Sequence, residues 1–298
     1  MGSGDIMHAY IRDFEDFLLQ EKNRSENTAW SYVSDVEQFY KYLEDSGVDA
    51  ENPARINKTN IMSYVLSLSS SGKTASTVSR NISSIKAYFR FLHKRGIIRE
   101  DVSDGIVPPK VEKVKPEILT HDEVELLLSK TDGESHKALR DKAMLETIYA
   151  TGIKVSELID LKMPDIYVEL KYIKCGKRER IVPIGEKAAS ALNDYIEQVR
   201  SKVLTDDASL FLNMAGEKMT RQGFWKLIKH YAKIAGITKN ITPHTLRHSF
   251  AVHLLQNGAN LYSVKEMLGH SDISSTQLYL ENTQTSLREA YTKAHPRQ

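Results

Sequence analysis

The first hundred residues alternate apolar and polar positions with the period of an α-helix. Their apolar positions run from Tyr10 to Leu18, from Trp30 to Leu43, from Ile61 to Leu68 and from Val78 to Leu92. Each stretch is bounded by residue types that cap or end helices. Four amphipathic helices with short connections predict a compact helical bundle.

The helix boundaries follow from capping and turn residues. The first helix is predicted to end near Asn23. The other three are predicted from Ser25 to Ser46-Gly47, from just after Thr59 to Ser69-Ser70-Ser71-Gly72, and from near Thr74 to Gly96.

A proline-rich, charged stretch from Val107 to Pro116 interrupts the helical pattern. Prolines bar a helix and alternating charges keep the segment solvated, which is typical of an extended linker. We therefore predict a helical domain over residues 1–107, a linker over 108–116 and a second domain over 117–298.

The second domain begins with a predicted capping box, Thr120-His121-Asp122-Glu123. Helices are predicted from Lys137 to Tyr149, closed by Thr151-Gly152, and from Val155 to Leu161. The period then changes to two, which predicts three antiparallel strands at Tyr167–Leu170, Tyr172–Cys175 and Arg180–Ile184. The pattern is helical again from Glu186. The predicted fold class is mainly α with one small antiparallel β-sheet.

Composition narrows the class of protein without naming a function. The chain has 298 residues, 41% hydrophobic and 27% charged, with a net charge of +2. This balance fits two globular domains and neither demands nor excludes nucleic acid. The single cysteine, Cys175, fits a reducing compartment. No apolar run has the length of a membrane span, so we expect a cytoplasmic protein.

A cluster of phosphate-binding residue types begins at Thr242. Thr242 is a helix cap and Pro243 suits the first helical position. His244 and Arg247 then share one face of the first turn, where backbone amides favour an anion. His270 follows the predicted helix stop at Gly269, and Tyr279 comes shortly afterwards. This set indicates chemistry on a phosphodiester. A metal site is not expected, because the histidines lack the carboxylate partners and spacing of a zinc motif.

The fourth predicted helix carries a polar face that suits DNA. Its small hydroxyl-bearing and basic residues resemble those that contact phosphates and base edges. An ordinary solvated face would have a similar composition. The candidate DNA-binding residues are Ser76, Thr77, Arg80, Ser84 and Lys86.

The order of motifs resembles that of the tyrosine site-specific recombinases, the phage integrase family, and is most similar to the Xer group. The matching stretches are Ala150-Thr151-Gly152-Ile153-Lys154-Val155-Ser156-Glu157-Leu158, a hairpin Gly176-Lys177, His244-Thr245-Leu246-Arg247-His248, Leu268-Gly269-His270 and Tyr279. The resemblance covers essentially the whole chain. It implies an N-terminal SAM-like core-binding domain, a catalytic domain and a terminal exchange helix over Leu287 to His295 that docks into a neighbouring protomer.

The resemblance also implies the reaction and the roles of its residues. Tyr279 would attack a DNA phosphate, form a 3′-phosphotyrosyl link and release a 5′-hydroxyl. The covalent link conserves the bond energy, so no cofactor is expected. Arg247 would stabilise the negative charge of the transition state, and His244 and His270 would bond the phosphate or assist proton transfer. His248 would support the site.

Two positions depart from the family pattern. Lys154 stands where the family has its first arginine, so the bidentate fork is lost and we expect weakened cleavage. The hairpin is also shorter than is usual in the family. Lys177 is therefore the first choice for the general acid and Lys174 the second. Glu157 is expected to orient Lys154 or the hairpin.

The expected function is site-specific recombination of double-stranded DNA by a homo- or hetero-tetramer, in chromosome dimer resolution. A DNA translocase is a candidate partner. A mobile-element integrase or excisionase and a catalytically impaired accessory protein stay open as alternatives. A type IB topoisomerase is disfavoured by the helical domain and the exchange helix.

Overall fold

A computed structural model describes residues 3–111, 116–176, 179–205 and 207–270. By its internal contacts the chain divides into two compact units, Met1–Val114 and Lys115–Gln298. Among the helices within the described ranges, none is both long and apolar enough to cross a membrane.

In the residues that the structure describes, the N-terminal unit is built from four α-helices. They are α1 (Ser3–Asp16), α2 (Glu26–Asp45), α3 (Lys58–Ser70) and α4 (Ala75–Lys94). The chain continues from α1 through one π-helical turn, Phe17–Glu21. The predicted helical bundle is confirmed.

Side-chain caps start the last three of these helices. Ser25 and Thr74 accept hydrogen bonds from the amides of Thr28 and Thr77, as their positions predicted. The prediction for α3 was two residues late. Asn57 caps that helix. Its side-chain oxygen accepts a hydrogen bond from the amide of Asn60, as is usual for an asparagine at the N-cap position.

The core of the N-terminal unit is rich in aromatic side chains. Most of them pack edge-on or tilted against a neighbour, the arrangement favoured by the charge distribution of aromatic rings. The rings of Tyr40 and Tyr88 are fully buried, and their hydroxyls bond each other at 3.1 Å. This bond satisfies two polar groups inside an apolar core.

The described part of the C-terminal unit is mainly helical with one small sheet. Its helices are α5 (His121–Ser129), α6 (His136–Thr151), α7 (Val155–Asp160), α8 (Glu186–Gln198), α9 (Arg221–Ile234), α10 (Pro243–Gln256) and α11 (Leu261–Leu268). The strands are β1 (Ile166–Tyr167), β2 (Tyr172–Cys175) and β3 (Arg180–Pro183). They pair antiparallel in the order β1-β2-β3, which confirms the predicted fold class.

The first predicted strand, Tyr167–Leu170, is mostly wrong. β1 ends at Tyr167 because the chain turns directly afterwards, with the amide of Lys171 bonded to the carbonyl of Val168 at 3.0 Å. Lys171 has a φ of 53°, which an extended strand cannot accommodate. The apolar residues that suggested a longer strand therefore lie in a turn.

The capping box at Thr120 and Glu123 starts α5 as predicted.

Three helix ends of the C-terminal unit bring its functional residues together: the C-terminal ends of α6 and α11 and the N-terminal end of α10. Gly152 ends α6 and Gly269 ends α11, both in the left-handed conformation. Because α10 packs against both α6 and α11, its N-terminal half lies beside these two ends.

We predict that Tyr88→Phe lowers the free energy of unfolding by about 1–3 kcal/mol. The substitution keeps the ring but leaves the buried Tyr40 hydroxyl without this partner. Equilibrium unfolding in urea measures the change. The control is Tyr42→Phe, which removes an exposed bond to Ser63 and is expected to cost about 0.5 kcal/mol or less. Equal losses in the two variants would contradict the prediction.

Candidate active site

The start of α10 is built as its sequence predicts. Thr242 caps the helix by accepting a hydrogen bond from the amide of Thr245 at 3.2 Å, and Pro243 takes the first helical position. The helix therefore begins rigidly just before His244, which is exposed. The positive dipole end of the helix makes this a favourable place for an anion.

Arg247 lies one turn further along α10 and is almost fully buried, with 4% of its surface exposed. Its guanidinium donates to the carbonyl oxygens of Gly152, at 2.5 Å, and Leu268, at 2.7 Å. These carbonyls belong to the ends of α6 and α11, where helix carbonyls lack partners within their own helix. Two helix C-termini therefore hold one cation in a fixed position.

His270 contacts the same guanidinium. Its Nε2 lies 2.9 Å from Arg247 Nη2. Because arginine can only donate, Nε2 must accept, and the imidazole is neutral with its proton on Nδ1. Burial lowers the pKa of His270 to about 4, and the nearby charges of Arg247 and Lys154 act in the same direction. His270 is thus an uncharged imidazole beside a fixed cation at neutral pH.

His244 and His248 stack along α10, with ring centroids 6.3 Å apart. His248 is half-buried between the exposed His244 and the buried Arg247. Burial, with the charges of those two neighbours, lowers the pKa of His248 to about 4. This position fits the predicted supporting role of His248, which stays a prediction.

Lys154 precedes α7 and its side chain is exposed. The carboxylate of Glu157 accepts a hydrogen bond from the Lys154 amide at 2.8 Å, which fixes the start of the helix. Lys154 is close enough to His270 for its charge to lower the pKa of the imidazole. The structure thus brings Lys154 to the same cluster as Arg247 and His270.

Glu157 also contacts the hairpin, through Arg180, which was not among the predicted site residues. Arg180 donates from its two terminal nitrogens to the Glu157 carboxylate at 2.8 and 2.7 Å. Burial alone would raise the pKa of Glu157, but the hydrogen bonds from Arg180 and the Lys154 amide hold it below its usual value. The only sequence feature that could have drawn attention to Arg180 is its position at the start of a predicted strand.

Neighbouring residues of the hairpin point to opposite faces of the sheet. Cys175 is buried on the core side, where burial raises the pKa of its thiol to about 11. Lys174 points the other way and places Nζ over the ring of Tyr167, 5.1 Å from its centroid. A hydrogen bond from Lys174 to Tyr167 raises the lysine pKa. The structure thus does not direct Lys174 towards Arg247.

Two predicted catalytic residues and one predicted element lie outside the described residues. These are Lys177, Tyr279 and the terminal helix over Leu287 to His295. Their predicted roles stay predictions.

The prediction for the polar face of α4 was wrong at Ser84. Ser84 is fully buried, and its hydroxyl donates to the buried carboxylate of Asp35 at 2.8 Å. Arg80 pairs with the same carboxylate at 2.6 Å while keeping 45% of its side chain exposed. Lys86 is half-buried and donates to the carbonyl of Ile106 at 2.8 Å. The helical period alone could not reveal these partners on other segments.

The remaining candidates on α4 are accessible. Ser76 is exposed, and Thr77 bonds the capping Thr74 through their hydroxyls at 2.9 Å. Together with the outer part of Arg80, they form the exposed polar start of α4.

Both units match known family models. The Phage integrase family model matches residues 117–286, and the Phage integrase N-terminal SAM-like domain model matches residues 11–96. Tyrosine recombinase XerD of Oceanobacillus iheyensis is 43% identical over 293 residues, which cover 96% of this chain and 98% of that protein. Tyrosine recombinase XerD of Listeria innocua is 42% identical over 297 residues, covering 98% of this chain and 100% of that protein.

Solved structures share the same fold. The crystal structure of XerA recombinase is 27% identical with a TM-score of 0.55, covering 98% of this chain and 100% of that chain. The Tn1549 transposon integrase in complex with circular intermediate DNA is 20% identical with a TM-score of 0.73. The match covers 95% of this chain and 98% of that chain.

We predict that Gly152→Ala destabilises the C-terminal unit by about 2–4 kcal/mol. Its φ of +59° disfavours a side chain, and an added Cβ would lie 2.2 Å from Phe250 Cδ1. Gly236→Ala is the matched control, since Gly236 ends α9 at a φ of +67° with nothing within 4 Å of the added atom. Its expected cost is about 1 kcal/mol. Urea unfolding measures both, and similar losses would refute the clash with Phe250.

We predict that acid weakens the C-terminal unit through His248 and His270. Their folded pKa values, about 4, lie below the ordinary value of 6.5. Between these values the unfolded chain binds more protons, so stability falls as the pH drops from about 6.5 towards about 4. Urea unfolding at about pH 7 and about pH 5 should reveal a smaller loss in His248→Gln than in the unmodified chain. An equal loss would exclude a contribution from His248.

Proposed function

Because the chain belongs to the phage integrase family of tyrosine recombinases, we propose that the cluster around Arg247 binds the DNA phosphate at which its strands are exchanged. The chain is an Xer-type site-specific recombinase, an enzyme that cleaves and rejoins DNA through a phosphotyrosyl intermediate.

One observation carries the proposal. The buried guanidinium of Arg247 is held by the carbonyls of Gly152 and Leu268, beside a neutral His270 and near the start of α10. A cation fixed in a site of low dielectric stabilises developing negative charge without reorganising during the reaction. A phosphorane-like transition state carries such charge on its non-bridging oxygens.

We assign Tyr279 as the nucleophile and Lys177 as the general acid. The hydroxyl oxygen of Tyr279 forms a bond to phosphorus, and the bond from phosphorus to the 5′ oxygen breaks. The proton of Tyr279 passes towards a histidine or solvent, while Lys177 protonates the departing oxygen. The outward direction of Lys174 supports Lys177 as the better choice.

The histidines would play different parts in this scheme. His270 is neutral and its Nε2 accepts from Arg247, so its Nδ1–H would donate to a phosphate oxygen. His244 is exposed on the first turn of α10, where it can donate to a phosphate oxygen. His248 would support both from within the helix.

Lys154 would contribute charge but not the geometry of an arginine. Its ammonium is a point charge, whereas a guanidinium can bond two phosphate oxygens at once. We propose that cleavage by this chain is slower for that reason. Its exposed position near His270 supports a direct role at the phosphate.

The N-terminal unit would add affinity for the DNA flanking the cleaved phosphate. Ser76, Thr77, Arg80 and Lys86 remain the candidates on α4 after Ser84 is removed. Phosphate contacts of this type make binding fall as salt rises.

The cellular role proposed is chromosome dimer resolution by a tetramer of like recombinases, in the cytoplasm and with a DNA translocase as a further partner. The full-length similarity to proteins named XerD supports it. The similarity to a transposon integrase extends to the fold alone, so a mobile-element role is the second candidate.

The test uses nicked DNA with the cognate core site and counts covalent adducts on a denaturing gel. We predict that Lys154→Arg forms at least about tenfold more adduct per unit time than the unmodified chain, because the bidentate fork is restored. Tyr279→Phe is the blank.

Other outcomes separate the alternatives. Equal adduct in Lys154→Arg and the unmodified chain, with none in Tyr279→Phe, would mean that lysine suffices. If no variant forms an adduct while all bind the site, the hypothesis of a catalytically impaired accessory protein replaces that of an active recombinase.

A further inference from the structure

We infer that Arg180 is a positioning residue for strand cleavage, one that holds Lys154, the hairpin turn and His270 in a single arrangement. The inference rests on the proposed function of the cluster around Arg247. Arg180 acts through the residues that it holds and makes no contact with DNA in this role.

The first link runs from Arg180 to the start of α7. Its two terminal nitrogens donate to the two carboxylate oxygens of Glu157, in the fork geometry that is special to arginine. The same carboxylate accepts the amide of Lys154. Arg180 therefore fixes the backbone from which the Lys154 side chain extends.

The second link runs to the segment that carries His270. Arg180 Nε donates to the carbonyl of Met267 at 3.0 Å. The guanidinium also lies against the backbone of Gly269, where an added Cβ would be 2.9 Å from Arg180 Cζ. His270 follows directly, so its approach to Arg247 begins from a backbone that Arg180 supports.

The third link runs to the hairpin turn. An added Cβ at Gly176 would lie 2.6 Å from Arg180 Nη1 and 3.1 Å from Glu157 Oε1. The turn thus closes directly over the ion pair, which only a glycine permits here, given its φ of +79°. Lys177, the proposed general acid, is the next residue in the sequence.

One planar group therefore contacts three segments that are remote from each other in sequence. The side chain of Arg180 is only 19% exposed, and that of Glu157 only 13%. Solvent therefore competes little for these bonds. Small displacements of catalytic groups reduce rates strongly, by about a hundredfold for about 1 Å. A group that supports the backbone of both Lys154 and His270 should affect cleavage more than it affects DNA binding.

Arg140 provides the matched control. It is also buried, and it also donates to a carboxylate, that of Asp141, and to a backbone carbonyl, that of Leu212. It lies near the opposite end of α6 from Gly152. Arg140→Gln should therefore cost comparable stability without disturbing the cluster.

The experiment measures single-turnover adduct formation on the nicked site at saturating protein, with DNA affinity measured separately. The reference is the unmodified chain or Lys154→Arg, whichever forms more adduct. In that background, Arg180→Gln and Arg180→Lys should cleave about tenfold to a hundredfold more slowly, with DNA affinity within about threefold of the reference. Arg140→Gln should keep the reference rate. Equal rates for the Arg180 and Arg140 variants would overturn the inference.

A second readout works even without cleavage. In the folded chain, NMR titration should give a His270 pKa of about 4, set by burial and by the charges of Arg247, Lys154, His248 and Arg180. Arg180→Gln should raise the pKa towards its ordinary value, because one cation is lost and the ring becomes more exposed. Arg140→Gln should leave it unchanged. An unchanged titration in Arg180→Gln overturns the inference, whereas absent cleavage in every reference protein overturns only the proposed function.

Discussion

A buried guanidinium is costly unless acceptors replace the water that it loses, and the site of this recombinase is built around such a group. Arg247 receives its acceptors from the carbonyls of Gly152 and Leu268. Helix C-termini carry partial negative charge, so the two ends stabilise the cation electrostatically as well as by hydrogen bonding. Three helices must therefore be correctly packed before the cation is satisfied, which couples the fold of the C-terminal unit to the integrity of its site.

This arrangement separates two electrostatic tasks. The negative ends of α6 and α11 face the arginine, while the positive start of α10 stays available to an anion. The neutral state of His270 follows from its burial and from the same arrangement, because both burial and the like charge of Arg247 disfavour an imidazolium and lower its pKa. The site thus combines a permanent cation with a nearby neutral imidazole.

Local sequence signals predicted the elements of this structure well, because their causes are local. The caps at Ser25, Thr74, Thr120 and Thr242 act within three residues of themselves. The glycine ends of α6 and α11 could be located in the same way. The overlong first strand failed because apolar residues in a turn imitate the alternation of a strand.

The failures at the site have a different cause, namely partners remote in sequence. Ser84 looks like a surface hydroxyl until the buried Asp35 of another helix is seen beside it. Arg180 looks like a solvated charge, yet it reaches Glu157 and Met267 on segments far from its own. The resemblance to a family placed Lys154, His244, Arg247 and His270 in one site. It carried no information about what holds them there.

The burial of Cys175 has a practical consequence for measuring motion in this enzyme. Thiol reagents attack the thiolate, and a buried thiol with a pKa of about 11 forms very little of it at neutral pH. Cys175 is also the only cysteine of the chain. A fluorophore or spin label directed at a cysteine newly placed on the exposed start of α4 would therefore react there and leave the native thiol untouched. The recombinase can therefore be labelled at an introduced cysteine for spectroscopic work on DNA binding without replacing Cys175.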